Sequence, residues 1–335
     1  MPPALPTTSK VFRLSVVIPL YNESAGLREL LGELVVAVPP SEQHWEVIFV
    51  DDGSTDGSWE LICNLAQNNE RVCGLRFRRN FGKAAALSAG FARATGEYVV
   101  TMDADLQDDP AEIPKMIAHL NKGFDLVSGW KRRRHDPWHK VIPSRMFNWL
   151  VSRVTGLRLH DHNCGIKCYR REVLKELKLY GELHRFITVL AAGRGFRVAE
   201  CEVRHRSRVH GQSKYGFRRF FNGLLDLITV RFLTVYGQRP SHLLGLIGLL
   251  FFFIGAAGLT YLGGLWVIGE RPIGTRPLLV YSVVLVLLGA QSISFGMLAE
   301  LIVWKSAPHA LSGEGAADVV ETVGHAKSRK ESARD

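Results

Sequence analysis

Residues 98–110 read YVVTMDADLQDDP. A run of β-branched and aromatic residues ends at an acidic turn. The stretch therefore reads as a strand whose carboxyl end carries Asp103 and Asp105, one residue apart. Two carboxylates so spaced, on chain leaving a strand, can reach one divalent cation. Mg²⁺ or Mn²⁺ favours such oxygen ligands and is often completed by substrate phosphates and water. Alone, the doublet is equally a solvated loop, so its surroundings decide.

Working outward, β-rich runs recur at Leu14–Pro19, Trp45–Val50, Val72–Phe77 and Asp125–Ser128. Helical stretches lie between them at Ala25–Val38, Ser58–Asn68, Lys83–Thr95 and Ala111–Leu120. This alternation predicts βαβ crossovers, an α/β fold and a mostly parallel sheet with helices on both faces. Ligands of such sheets bind beyond the carboxyl ends of the strands. Two more polar turns fall there: VVIPLYNE at residues 16–23 and VDDGSTD at residues 50–56. Pro19 and Gly53 shape tight turns, Tyr21 offers an aromatic face to a base, and Glu23 and Asp52 can accept hydrogen bonds from base or ribose. Any one of these sets could be a helix N-cap cluster, Asp56 above all. Three such sets, each at the carboxyl end of a strand, point to one ligand site.

The 335 residues are 47% hydrophobic and 22% charged, with a net charge of +10, enough apolar content for a sizeable core. The basic residues concentrate between Lys131 and Arg239 and beyond Lys327. No nucleic-acid motif accompanies them, so anionic lipid or a phosphorylated lipid is the expected partner rather than nucleic acid. The five cysteines lack the spacing of a disulfide scaffold or a zinc site and read as reduced thiols. His160-Asp161-His162-Asn163-Cys164 likewise has no partner set at ligand spacing and reads as turn and core.

From Leu243 the composition changes. Leu243–Ile268 and Leu278–Trp304 are each long enough for a bilayer core, which needs about 20 residues. They predict a C-terminal transmembrane hairpin. The residues before it, Tyr215–Gln238, carry an apolar stripe (Phe217, Phe220, Phe221, Leu224, Ile228, Phe232, Val235) with arginines interleaved. A core helix or a helix lying in the membrane interface would both produce it; the position beside a span favours the second. Arg218, Arg219, Arg231 and Arg239 before the hairpin, with Lys305, Lys327, Arg329 and Lys330 after it, outnumber Arg271 and Arg276 in its loop. Both ends are then expected in the cytoplasm. The first twelve residues carry no apolar signal segment and are expected to be disordered, as is the Gly-, Ala-, Glu- and Lys-rich tail over 305–335. The expected plan is a catalytic domain over 13–214, an interfacial helix over 215–239 and two spans within 240–304. Gly255, Gly258 and Gly289 would serve packing within the hairpin or self-association equally.

Together VVIPLYNE, VDDGSTD and MDADLQDDP resemble family 2 glycosyltransferases of the GT-A fold. The two C-terminal spans make the chain similar to that family's polyprenyl-phosphate branch, over Leu14 to Trp304. The resemblance implies that Pro19, Tyr21, Glu23, Val50, Asp52, Asp103 and Ala104 hold the nucleoside diphosphate side of a nucleotide sugar. It implies further that Asp103, Asp105 and Gln107 hold Mg²⁺ or Mn²⁺. Arg208-Val-His-Gly211-Gln-Ser213-Lys214 matches the family's RxxGxSK element. Arginine there would grip the phosphate of a polyprenyl acceptor bidentately, with lysine as a point charge. Related synthases carry an arginine where this chain has Lys131, so Lys131 and Arg145 are further acceptor-phosphate candidates.

Many relatives place an acidic pair with the catalytic base where this chain has Gly181-Glu182-Leu183-His184. Its absence fits a phosphate monoester acceptor, which with a second pKa near ~6 is already anionic at neutral pH. The implied reaction is inverting transfer of one sugar, with Asp105, Lys131, Arg208 and Lys214 as the residues that carry it. The donor base, uridine or guanosine, and the sugar stay open. Two other readings compete: a non-catalytic nucleotide-binding membrane assembly protein, and a processive polysaccharide synthase. The second would call for a QxxRW-type element and more than two spans.

Overall fold

The computed structural model describes residues 13–38, 44–132, 138–177, 179–206, 218–236, 239–270 and 272–306. Arg208, Ser213, Lys214 and Phe217, the first twelve residues and the tail from 307, for which the sequence carries expectations, lie outside them. The chain divides into two units, Met1–Val235 and Tyr236–Asp335.

In the first unit β1 (Leu14–Leu20), β2 (Trp45–Asp51), β3 (Val72–Arg76) and β4 (Tyr98–Thr101) pair in parallel, in the order β3-β2-β1-β4. Every residue of β1, β2 and β4 is buried, as expected of strands covered on both faces. The period of two then sorts their side chains. Leu14, Val16, Ile18 and Leu20 of β1 join Val47 and Phe49 of β2 in one core layer. That layer is covered by α1 (Leu27–Ala37), α2 (Ser58–Asn68) and α4 (Ile113–Asn121). Val17, Ile48, Val50 and Val99 face the other way, under α3 (Lys83–Arg93), α6 (Arg171–Glu176) and α7 (Ile187–Gly193).

The sheet has seven strands and continues past β4 as β6-β5-β7. Here β5 is Leu126–Trp130, β6 is Lys167–Arg170 and β7 is Val198–Glu202. β5 and β7 are parallel, while β6 runs antiparallel between β4 and β5. The parallel majority is as expected; the reversed strand, in an irregular stretch where the sequence pattern predicts no strand, is not. Its direction matters, because the pairing of Thr101 with Lys167 brings the start of β6 to the end of β4. Asn163, Cys164 and Gly165 thereby arrive beside the acidic turn.

The same irregular region also contains α5 (Trp138–Thr155). Of the amphipathic segment, α8 (Arg218–Arg231) is helical and Phe232–Tyr236 continues as a π-helical turn. Leu227 and Val230 of α8 are buried with Val151 of α5 and with Leu183, Phe186 and Val189. Leu225 and Ile228, on the opposite face of α8, are exposed. The helix thus has a core face and a second, uncovered apolar face. The side chains of Phe220 and Phe221 lie outside the described residues.

In the second unit α9 (Pro240–Val267) and α10 (Pro277–Ser306) form an antiparallel hairpin. Both helices are long and apolar enough to cross a membrane. Only 11% of each apolar window is buried, which argues against core helices of a soluble domain. Glycines set the closeness of the hairpin. A Cβ on Gly248 would sit 2.7 Å from the Gly289 carbonyl, and one on Gly255 would sit 2.6 Å from the Ser282 carbonyl. These small residues are therefore used within the hairpin. The Ser241 backbone N–H at the start of α9 donates to Glu300 of α10 at 3.2 Å.

Candidate functional site

The three polar turns at the ends of β1, β2 and β4 are built by bonding to one another. After β1, Asn22 takes a left-handed conformation with φ of 57°. Its N–H donates to Ser54 Oγ at 2.9 Å, and its side-chain oxygen accepts from Thr55 N–H at 2.8 Å. Glu23 N–H donates to Ser58 Oγ at 3.2 Å, and Ser24 N–H to Asp56 at 3.0 Å. Asp56 also accepts from the N–H of Ser58, the first residue of α2, at 3.0 Å, so it ties the start of that helix to the turn after β1, although Gly57 holds the N-cap position. Much of the polar character of these turns serves their own shape.

Asp52 accepts from Phe81 N–H at 2.7 Å and from Gly82 N–H at 2.9 Å, one to each carboxylate oxygen. Burial raises its pKa, and those two backbone donors oppose the rise. Gly53, at φ of 76°, lies so close to Arg79 that a Cβ would be 2.6 Å from its carbonyl carbon. Asp52 and Gly53 therefore lock the segment that leads into α3 and fix where Lys83, its first residue, begins. Val50 is fully buried under α3, which leaves only its main chain for any nucleoside. Tyr21 and Glu23 are half-buried at the turn.

Within the acidic turn, Leu106 has φ of 61° with its side chain in the core. Sparsely populated backbone of this kind persists where the surroundings over-determine it, often at binding sites. Asp105 is buried and accepts from Gln107 N–H at 3.2 Å. The Ala104 carbonyl packs against Gly26, 3.3 Å from where a Cβ would stand. Asp103 lines a cavity together with Pro19, Lys83, Asn163, Gly165, Lys167 and His184.

Asp103 Oδ1 is ion-paired with the Lys83 ammonium. Its Oδ2 lies against Gly165, where a Cβ would be 2.7 Å from it and 2.8 Å from Asp108 Oδ2. Burial works against ionisation of Asp103, but Lys83, and after it Lys131 and Lys167, outweigh burial and hold its carboxyl well below the usual range. Lys131 is itself only 14% exposed and pairs with buried Asp108 at 2.8 Å. Lys167 is buried in the cavity wall, donates to the Cys164 carbonyl, and has its pKa lowered by burial.

The remaining candidates separate. Arg145 is exposed on α5. Glu182 is engaged by Arg185 at 2.5 Å, whereas His184 lines the cavity. His162 is buried, with Nε2 2.9 Å from Ser152 Oγ, as core packing predicts. His160 stacks on Trp130 with ring centroids 4.2 Å apart. After β7, Arg206 N–H donates to the Gln107 carbonyl at 3.0 Å, and its guanidinium pairs with Asp109 at 2.9 Å and with Glu33. The chain is thus anchored at the acidic turn two residues before Arg208.

Lys83, Lys167 and Gly165 are missing from the sequence reading. Lys83 sits directly after a glycine at the head of a helix, a position that invites scrutiny, but neither residue 165 nor 167 belongs to a motif. As for a cation, two carboxylates one residue apart, with an ammonium already seated on one of them, suit a divalent ion. Among the described residues no three acidic, histidine or cysteine side chains form a cage. The residues fit an ion that takes much of its shell from ligand oxygens and water.

A model of glycosyl transferase family 2 matches residues 15–178. Dodecaprenyl-phosphate galacturonate synthase of Rhizobium johnstonii is 42% identical over 296 residues, spanning 86% of this chain and 87% of its own. Undecaprenyl-phosphate 4-deoxy-4-formamido-L-arabinose transferase of Shewanella sediminis is 37% identical over 298 residues, 86% of each chain. Among solved structures, glucosyl-3-phosphoglycerate synthase from Mycobacterium tuberculosis in complex with Mn²⁺, UDP and phosphoglyceric acid superposes with a TM-score of 0.51. Its identity is 21%, covering 66% of this chain and 78% of that one, a likeness of fold.

Proposed function

The chain belongs to glycosyl transferase family 2, and on that premise we propose that it transfers one sugar from a nucleotide sugar to a polyprenyl phosphate at a membrane. Relatives that are polyprenyl-phosphate sugar transferases, alike over 86% of the chain, support the reaction class. The observation that carries it in the geometry is Asp103 in the cavity wall, ion-paired with Lys83 and acted on by Lys131 and Lys167. A carboxylate fit for a cation stands among positive charges fit for a diphosphate.

In this reading Pro19, Tyr21, Glu23, the Val50 main chain and the Asp52 loop hold the nucleoside, and Asp103, Asp105 and Gln107 hold Mg²⁺ or Mn²⁺. A bound divalent ion would supply Lewis-acid stabilisation of the departing diphosphate. Lys83 adds charge at the same place. Arg208 and Lys214 bind the acceptor phosphate, on chain that enters from the Arg206–Gln107 anchor. Lys131 acts on this region as a fixed charge through Asp108 rather than as a mobile ligand. A phosphate oxygen bonds to the anomeric carbon as the bond to the nucleoside diphosphate breaks, and the diphosphate keeps the electron pair. Attack from the opposite face inverts the centre. The oxygen is already anionic, so no base is required, which suits a site where Glu182 is committed to Arg185.

The membrane side of the proposal rests on the hairpin and on two helices of the first unit. α8 exposes Leu225 and Ile228. α5 exposes Ile142, Met146 and Trp149 along one face, with Arg145 and Arg153 exposed near it. Apolar side chains flanked by arginine suit a headgroup boundary. The arginine distribution supports a cytoplasmic site with both ends of the chain on that side.

The test is transfer by the full chain in detergent or vesicles. Asp105→Ala should lower transfer at least 100-fold while circular dichroism and membrane association stay unchanged, and EDTA should abolish the wild-type activity. Full activity in excess EDTA would overturn the metal assignment.

A further inference from the structure

Lys83 is paired with Oδ1 of Asp103, and both residues line the cavity. The other carboxylate oxygen is packed against the Gly165 backbone, with the Asp108 carboxylate on the same spot. A divalent ion that takes Oδ1 must therefore displace the Lys83 ammonium. Lys131 (itself paired with Asp108) and Lys167 also act on this carboxylate, so a free dication gains Asp103 only against positive charge already placed there. A cation already complexed to a nucleoside diphosphate brings net negative charge instead, and with it a new partner for the displaced ammonium.

The means of displacement are also present. The Lys83 backbone is held through the Asp52 bonds to Phe81 and Gly82, while its side chain is 35% exposed on a flexible four-carbon stem. The head can move without the helix moving.

We propose that Lys83 is an exchangeable counter-ion for Asp103, which it releases to the divalent cation only as the donor diphosphate arrives to take the ammonium in return. The metal and the nucleotide then bind as a unit, each requiring the other. The proposal rests on the assignment of a divalent cation to Asp103. It goes further in naming what excludes the free metal. By linkage, the factor by which nucleotide tightens metal must equal the factor by which metal tightens nucleotide.

The experiment is Mn²⁺ titration of the purified full chain followed by electron paramagnetic resonance, alone and with saturating UDP or GDP. Wild type should bind free Mn²⁺ weakly, and the effective diphosphate should tighten it at least tenfold. Lys83→Met should bind Mn²⁺ alone at least tenfold more tightly than wild type and lose most of the tightening by diphosphate. Lys83→Arg, which keeps the charge, should behave as wild type. Lys83→Gln is a second neutral variant should the methionine variant fail to fold. Mn²⁺ affinity unchanged or weaker in a folded neutral variant would overturn the exchange. Asp103→Asn separates the two levels: loss of Mn²⁺ there with no effect at Lys83 defeats the exchange alone, whereas Mn²⁺ binding undiminished in Asp103→Asn defeats the metal assignment beneath it.

Discussion

At the residue scale the site depends on close approaches as much as on charges. Gly165 lets two carboxylates, Asp103 and Asp108, lie against one stretch of backbone. Gly165→Ala would put a methyl 2.7 Å from Asp103 Oδ2 and force that carboxylate to turn. Because the methyl also meets buried Asp108 at 2.8 Å, the thermal midpoint should drop as well. Transfer measured well below that midpoint should still fall at least tenfold, a split that steady-state kinetics beside a melting curve would reveal. His162 allows a separate check on packing. Burial, with Asp161 opposing and Lys167 reinforcing it, takes this histidine from 6.5 to about 4. The unfolded chain therefore binds the proton more readily. The stability that depends on neutral His162 is complete above pH 6.5 and is lost as pH falls towards 4, by about 3 kcal/mol in all. Melting curves across that window should show the fall, and His162→Gln should flatten it. The carboxylates of the acidic turn were legible because their spacing is local. Lys83 and Gly165 were not, since each acquires meaning only from a residue at least 20 positions away.

At the scale of elements, the first four strands and the helices between them follow from local patterns. Uniformly buried strands read as apolar runs, and their ends as polar turns. β6 escaped because it is four residues long and begins with lysine; its place between β4 and β5, and its direction, are properties of pairing rather than of composition. α5 escaped because Pro143 and scattered arginines mask its period, and its buried face is modest. For α8 the core reading of its stripe describes Leu227 and Val230, and the interface reading becomes a question about the exposed Leu225 and Ile228. That division is testable. Leu227→Ala, on the core face, should cost about 2–5 kcal/mol of stability. Leu225→Asp with Ile228→Asp, on the uncovered face, should leave the melting point nearly unchanged. The same pair should weaken binding of the first unit's surface to anionic vesicles, read by co-flotation with transfer as a second measure. Equal loss of stability from both changes would mean that the outer face is covered too.

At the scale of the whole molecule, each of the two units makes sense of the other through chemistry. The first gathers the Asp103 carboxylate, basic residues and a cavity at the carboxyl ends of its strands. The second is a hairpin closed by its own glycines and suited to a bilayer. A water-soluble donor and a membrane-bound acceptor phosphate are the pair of substrates such a chain would join. The two relatives transfer different sugars, a galacturonate and a formamido-arabinose, so the donor panel must include both chemistries. The most direct measurement presents the purified full chain with polyprenyl phosphate, a divalent cation and labelled nucleotide sugars. These should span neutral hexoses, an N-acetylhexosamine, a hexuronic acid and a 4-formamidopentose, on uridine and on guanosine diphosphate. Label is followed into the organic phase. The account predicts one donor whose sugar becomes lipid-linked, in a product that requires the acceptor phosphate and disappears in Asp105→Ala. Nucleotide binding with no lipid-linked label from any donor would contradict it.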